Sequence, residues 1–340
     1  MFLQKKNFNI KSLNSFHLNI SVKEYIRTDS IPDLKEWLSE KKPDINKILI
    51  LGGGSNLLFT SDYNGTVIHP AFDFIKTVSE DDDNILIEAG SGKNWDEFVE
   101  FCVANSYFGV ENLSLIPGTT GAAPVQNIGA YGVEAKDVIE KVNGIYLESG
   151  NSFSLSNDEC RFGYRNSIFK NELKNKVLIT SVVFRLSKNE TFNLRYGHLE
   201  EKVKGLGEIN INNVRKAVIS IRRSKLPDPD ITGNAGSFFK NPEVPDGLYN
   251  ELKNIYPDMP GYQSGNGKIK IPAGWLIDKA GWKGRSMGNA AVHSEQALVL
   301  INTGNATGKD IMALASAIEE DIRDKFGIEL EKEVIVIGEN

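Results

Sequence analysis

The apolar positions along the chain change period several times, and each change predicts an element. Leu34, Trp37 and Leu38 recur at i, i+3, i+4, with Pro32 suited to a first turn, so 30–41 is expected to be a short helix. The run KILIL at 47–51 reads as a strand that enters Gly52-Gly53-Gly54-Ser55-Asn56 directly, and LLFTSDYNGTVIHP at 57–70 reads as turn and strand around Asn64-Gly65. A further strand, 85–89, follows the turn at 81–84. Trp95, Phe98, Val99 and Cys102 then share one face of a helix over 92–105, with Asn94 as its cap. Residues 177–186 (VLITSVVFRL) alternate as a strand, and 212–221 form a helix with Val214, Ala217, Val218 and Ile221 on one face. Toward the end, 242–267 is turn-rich and expected to be a surface loop over a pocket. Trp275, Leu276, Ile277 and Trp282 are expected in the core, 297–302 is a strand and 307–326 a helix. A terminal strand over 330–337 would project Glu331 and Glu333 from one face.

Between the elements lie two glycine clusters. Residues 116–132, IPGTTGAAPVQNIGAYG, hold four glycines in seventeen positions, where average usage predicts roughly one, and no charged side chain. Such a stretch is either a cradle for a ligand with phosphate and ring parts or a tight buried turn. The upstream cluster 52–56 tilts the balance toward the cradle. It is not a Walker A loop, since Gly-Lys-Ser/Thr is absent. Nor is it a Rossmann fingerprint, since Leu57 stands where the third glycine belongs and no helix follows. What remains is a nest of backbone N–H groups between strands, able to hold a pyrophosphate without a helix dipole.

Composition narrows the function class. At 340 residues and 40% hydrophobic content the chain suggests two or three domains. Its net charge of −6 and lack of a Lys/Arg block argue against a nucleic-acid or membrane-surface role and for small ligands. No 18-residue apolar run and no secretory leader pattern is present, so a cytoplasmic protein is expected. Cys102 and Cys160 have no CxxC partner, and His17, His69, His198 and His293 are scattered, so neither a disulfide framework nor a metal site is expected.

Four clusters carry candidate chemistry. CRFGYR at 160–165 joins Arg161 and Arg165 to two aromatic rings, a mixture that stabilises negative charge beside a stacked ring or else forms a strand edge. Arg222, Arg223 and Lys225 end a helix before Pro227, either as complements to its dipole or as phosphate ligands. Ser237 follows small residues and precedes Phe238 and Phe239, which makes it either a reachable proton donor shielded from water or an ordinary turn hydroxyl. Glu331 and Glu333 flank an apolar strand, where charge usually guards an edge.

LGGGSN at 51–56, IPGTTGAAPVQNIGAYG at 116–132, CRFGYRNSIFK at 160–170, KLPDP at 225–229, NAGSFFKNP at 234–242, PAGWLID at 272–278 and HSEQALVLIN at 293–302 form an ordered series spanning nearly the whole chain. The series resembles the UDP-N-acetylenolpyruvoylglucosamine reductase (UDP-N-acetylmuramate dehydrogenase) family. NLRYGHL at 193–199 and the full-length C-terminal part are similar to the longer of its two subtypes.

The resemblance implies an α+β fold. A two-lobed PCMH-type FAD-binding domain would span 17–188, with lobes at about 17–70 and 71–188. A connecting segment (189–225), a smaller α+β substrate-binding domain (226–327) and a C-terminal strand (328–340) returning to the active site would follow. It implies non-covalent FAD, NADPH as hydride donor, UDP-N-acetylglucosamine enolpyruvate as substrate, and a monomer with no nucleic-acid or membrane partner. Catalysis would rest on Arg165, Ser237 and Glu333, with Arg161 and Glu331 outside it. Flavin contacts would come from Gly52, Gly53, Gly54, Ser55, Asn56 and Leu57. The second cluster would add Ile116, Pro117, Gly118, Thr119, Gly121, Ala122, Gln126, Asn127, Gly129, Ala130, Tyr131 and Gly132. Substrate contacts would come from Tyr164, Tyr196, Arg222, Lys225, Asn241 and Gln296. In the implied reaction, NADPH reduces the flavin and leaves, hydride passes to C3 of the vinyl group, and Ser237 protonates C2. The competing expectations are a PCMH-type oxidase, which usually needs a His or Cys for covalent flavin that neither cluster contains, and a non-catalytic flavin or sugar-nucleotide binding module.

Overall fold

The computed structural model describes residues 1–265 and 267–338. Asn266 lies outside the described residues, as do Glu339 and Asn340, the last two positions of the expected C-terminal segment. The chain divides into two compact units. The first is Met1–Phe8, Val22–Gly53 and Asn64–Ser224, and the second is Asn9–Ser21, Gly54–Tyr63 and Lys225–Asn340.

At the centre of the first unit runs Val177–Ser187, the middle strand of an antiparallel sheet ordered Ser152–Ser156, Ile139–Tyr146, Val177–Ser187, Asn84–Gly90, Ile75–Glu80. Val182 lies opposite Val142 on one side and Ala89 on the other, which explains why the strand is apolar along most of its length. The predicted amphipathic helix packs here as Trp95–Ala104, capped by Asn94, whose side chain accepts from the Glu97 amide. Its Trp95 and Phe98 rings lie 5.8 and 4.5 Å from the ring of Phe184.

A second sheet in this unit orders Phe2–Asn9, Ser21–Thr28, Tyr63–Pro70 and Ile48–Ile50, with Ile48–Ile50 parallel to Thr66, Val67 and Ile68. Helix Ile31–Lys41 buries Leu34, Trp37 and Leu38 against Ile26, Ile48 and Ile68. Asn64-Gly65 is not the expected turn. Pairing on both sides of Tyr63–Pro70 carries the pair into the strand, and the chain bends at Thr60-Ser61 instead. Helix Ile211–Lys225 packs Val214, Ala217 and Val218 on Leu199 and Val203 of the short helix Leu199–Lys204.

The second unit holds an antiparallel sheet ordered Asn234–Ser237, Val299–Asn302, Ala290–Val292, Ser286–Met287. The predicted C-terminal helix is Gly308–Phe326, opened by a capping box between Thr307 and Asp310. The stretch 242–267 is not a plain loop, because it contains strands Glu243–Pro245 and Tyr262–Gly265 around helix Asp246–Ile255. Its prolines sit at the helix boundary and beyond, so they punctuate the helix rather than forbid it. The terminal strand is shorter than expected, only Ile335–Ile337, parallel to Leu57–Phe59. Residues 331–333 pair instead with 238–240, so the segment changes partner at Val334. Among the described residues no helix is long and apolar enough to cross a membrane, and no group of three or more His, Cys, Asp or Glu could hold a metal.

Candidate active site

In the first unit the two glycine clusters meet. A Cβ built on Gly53 would lie 2.8 Å from Gly118 Cα, and one on Gly52 would lie 3.0 Å from Thr119 Oγ1 and 3.3 Å from the Ala122 methyl. Only residues without side chains let these loops close on each other. Among the described residues, the amides of Gly52, Gly53, Gly118 and Thr119 donate to no backbone or side-chain acceptor. Amides left without acceptors on two touching loops form the anion-binding concavity that a dinucleotide pyrophosphate needs, so these residues fit the phosphate part of FAD. The floor behind them is fixed by backbone: Trp95 N donates to Gly118 O at 3.1 Å and Gly121 N to Ser91 O at 3.1 Å.

Downstream, Gly129–Ala130 and Val133–Glu134 form a hairpin whose turn, Tyr131-Gly132, takes φ of 49° and 79°. Two left-handed residues in sequence are what a two-residue hairpin turn asks for. Ile116, Gln126, Gly129 and Ala130 are half-buried around it and Pro117 is exposed. Asn127 is different in kind. It is fully buried, its Nδ2 donates to Glu134 Oε2 (2.8 Å) and Gly163 O (3.0 Å), and its Oδ1 accepts from Lys136 N (3.0 Å). Its amide is therefore spent on the protein and ties the 116–132 loop to the CRFGYR segment.

That segment makes a tight turn in which Gly163 and Asn166 exchange backbone hydrogen bonds of 3.0 and 3.1 Å. Arg165 sits in it at φ 52°, with Nη2 donating to Gly129 O at 3.1 Å and its carbonyl held by Lys170 Nζ at 3.1 Å. Non-glycine residues held in the left-handed region cluster where a site is pre-organised. Tyr164 beside it is 45% exposed, and Arg161 points to Glu172 in an exposed ion pair.

Arg222 belongs to the same electrostatic neighbourhood. Burial pushes its pKa down, Tyr131 and Asp96 oppose this, and the charge of Arg165 adds to it. Its Nε donates to Leu115 O at 3.2 Å. Two guanidinium groups whose fields overlap favour an anion between or beside them. Burial raises the Tyr131 pKa, against the pull of Arg222, and the Tyr131 and Tyr196 rings meet edge-on at 6.0 Å. Tyr196 is 60% exposed, and the backbone on either side of this ring pair is tied together. Buried Asn112 donates to both Tyr131 O (2.9 Å) and Asn193 O (2.7 Å), and Asn193 Nδ2 donates to Gly132 O (2.9 Å). Sequence reading missed Asn112 and Asn193, since an asparagine on irregular backbone carries no pattern.

In the second unit Gly54 packs against the Leu13 carbonyl, so its bare Cα serves chain packing. Ser55 and Asn56 follow it half-buried, and Leu57 opens the strand Leu57–Phe59. Asn56 Nδ2 donates to Glu333 O at 3.2 Å and Asn56 O accepts from Ile335 N at 3.0 Å. Half-buried Ser237 ends strand Asn234–Ser237, ahead of the fully buried Phe238 and Phe239. Glu333 N donates to Phe238 O at 2.8 Å. Ser237 itself pairs with Val299, and the residue after it bonds Glu333, so the Ser237 and Glu333 segments, far apart in sequence, run side by side, whereas Glu331 is exposed and paired with Lys240. Asn241 and Gln296 both meet the start of helix Ala273–Lys279. Asn241 Oδ1 accepts from Ala273 N at 2.9 Å, and Gln296 Oε1 is 3.2 Å from where a Gly274 Cβ would lie. Lys225 is the exposed last residue of its helix.

Residues 24–155 match the model of an FAD binding domain, and 228–337 match that of the UDP-N-acetylenolpyruvoylglucosamine reductase C-terminal domain. The UDP-N-acetylenolpyruvoylglucosamine reductase of Bacteroides fragilis is 44% identical over 330 residues, 97% of this chain and 99% of the relative. That of Aliivibrio fischeri is 47% identical over 329 residues, 96% and 93% of the two chains. The crystal structure of the Thermus caldophilus UDP-N-acetylenolpyruvylglucosamine reductase superposes with a TM-score of 0.69 at 22% identity, covering 99% of each chain, and shows the same α+β fold. With a flavin-domain match over the glycine loops and full-length relatives well above 30% identity, this chain belongs to the UDP-N-acetylenolpyruvoylglucosamine reductase family of FAD-containing oxidoreductases.

Proposed function

We propose that the chain reduces the enolpyruvyl double bond of UDP-N-acetylglucosamine enolpyruvate to give UDP-N-acetylmuramate for peptidoglycan synthesis, using NADPH, and that Arg165, Ser237 and Glu333 act on the enolpyruvyl group. The observation that carries the reading is the ladder joining the Ser237 and Glu333 segments, with Glu333 N bonded to the carbonyl next after Ser237. A hydroxyl and a carboxyl carried on two hydrogen-bonded neighbouring segments suit the protonation of a carbanion.

FAD, when bound, would supply hydride transfer between NADPH and the vinyl group. Gly52, Gly53, Gly118 and Thr119 hold the pyrophosphate by their amides, and Ser55, Asn56 and Gln126 complete the cradle. Arg222 and Lys225 meet phosphate charge, Tyr196 packs on the substrate diphosphate, and Tyr164, Asn241 and Gln296 orient the sugar nucleotide. As hydride arrives at C3, negative charge grows on C2 and the carboxylate. The Arg165 guanidinium stabilises it electrostatically, and Glu333, as the acid or through a water, holds the enolate oxygen. Ser237 gives its proton to C2. A hydroxyl is too weak an acid for most acceptors, but a carbanion is basic enough to take its proton.

The test separates the two half-reactions. In Ser237→Ala, NADPH is expected to bleach the flavin at the parental rate, while recolouring by the enolpyruvyl substrate slows by about 10²–10⁴. If both steps stay fast, Ser237 is not the donor.

A further inference from the structure

The start of helix Trp95–Ala104 grips the approach to the second glycine loop at four points. Trp95 Nε1 donates to Leu113 O (2.8 Å), Leu115 N to Asp96 Oδ1 (2.5 Å), Trp95 N to Gly118 O (3.1 Å) and Thr120 N to Lys93 O (2.9 Å). The Asp96 contact differs from the others because it is ionic and because Leu115 takes a left-handed φ of 59°. That conformation crowds Cβ against the carbonyl, and a leucine adopts it only when its surroundings impose it.

Here the surroundings are charged on both sides. The Leu115 amide is taken by Asp96 and its carbonyl by Arg222 Nε at 3.2 Å. Asp96 is in turn held by Arg215 through paired bonds of 2.6 and 3.0 Å, and Arg215 is only 9% exposed. Burial pushes the Asp96 carboxyl up, but the bonds from Arg215 and the Leu115 amide more than offset it and keep it below its usual range. Arg215 and Arg222 lie seven residues apart on helix Ile211–Lys225, two turns along one face, so a single helix braces Leu115 directly and through Asp96.

We propose that Asp96, fixed by Arg215, is a positioning residue that holds Leu115 left-handed and thereby sets the amide-lined loop 116–119 for dinucleotide binding. This rests on the reading that loop 116–119 grips the flavin pyrophosphate. It assigns a role to Asp96, Arg215 and Leu115. A salt bridge that only stabilised the fold would have no need of a strained leucine at its centre.

The test is the FAD dissociation constant of the apoprotein, followed by flavin fluorescence, with the thermal midpoint measured in parallel. Asp96→Ala is expected to weaken FAD binding by about 10–100-fold, the range for a hydrogen bond to a charged group. Adding Leu115→Gly should restore at least about five-fold, because glycine takes the left-handed conformation unaided. If the Ala variant does not fold, Asp96→Asn, which keeps an acceptor but no charge, carries the same comparison. FAD affinity within two-fold of the parent, or no recovery with Leu115→Gly, overturns the proposal. Gly53→Ala serves as control, since its methyl would strike Gly118 and should weaken FAD regardless. If that control binds FAD like the parent, the cradle assignment fails; if it loses FAD while Asp96→Ala does not, only the positioning role fails.

Discussion

The two units hold their candidate functional groups by different means. In the first, Arg165 and Tyr131 stand on left-handed backbone, as do Leu115 and Asn127 beside them, and side chains such as Asp96, Asn112 and Asn127 keep that backbone in place. In the second, Ser237 pairs with Val299 at the end of its strand, Glu333 is held by main-chain pairs between 238–240 and 331–334, and the Asn56 side chain bonds the Glu333 carbonyl. Strained loops held by side chains are precise but fragile. A ladder built from peptide groups survives the loss of any one side chain, so substitutions in the second unit should report chemistry, and those in the first should mix chemistry with structure.

The sharpest check of this contrast is Ser237→Ala. Alongside its loss of about 10²–10⁴ in substrate reduction, its unfolding free energy should stay within about 0.5 kcal/mol of the parent in a denaturant titration. A large stability loss would mean that the serine also supports the ladder. Next comes Asn127→Ala, which deletes three hydrogen bonds at a fully buried site, among them the one that accepts from the Lys136 amide. It should cost about 2–4 kcal/mol of stability and weaken flavin binding together. Unaltered stability would remove the fragile side of the contrast.

The third check is a pH dependence. Burial raises the Glu111 pKa, against the Gly109 amide that bonds its carboxylate. A raised carboxyl stabilises the fold below its unfolded value, and that contribution is lost as pH rises through the folded one. Glu111→Gln keeps an acceptor for Gly109, so its stability relative to the parent should improve steadily from acid to neutral pH. A flat difference across that range would count against the burial argument. Smallest of all, Glu331→Gln breaks an ion pair whose carboxylate is 72% exposed, and should change stability by less than about 1 kcal/mol and turnover hardly at all. Were it as damaging as Glu333→Gln, the assignment of the catalytic carboxylate would have to be exchanged.

Much of this was written locally. The helices carry their own caps in Ser30, Asn94 and Thr307, the central strand is apolar over nearly its full length, and the glycines of the two clusters announce a close approach of backbone. Helix Asp246–Ile255 was legible too, through Leu248, Leu252 and Ile255 at helical spacing, but the surrounding prolines and glycines masked it. What the sequence alone determined is therefore where the chain coils, extends and turns, because periodicity, caps and glycine act over a few residues. Which segments meet was decided by tertiary pairing: Asn64-Gly65 drawn into a strand, 331–337 dividing its pairing between two partners, and Leu115 held left-handed by Asp96 and Arg222. Those outcomes depend on partners distant in sequence, whose contribution no local pattern records.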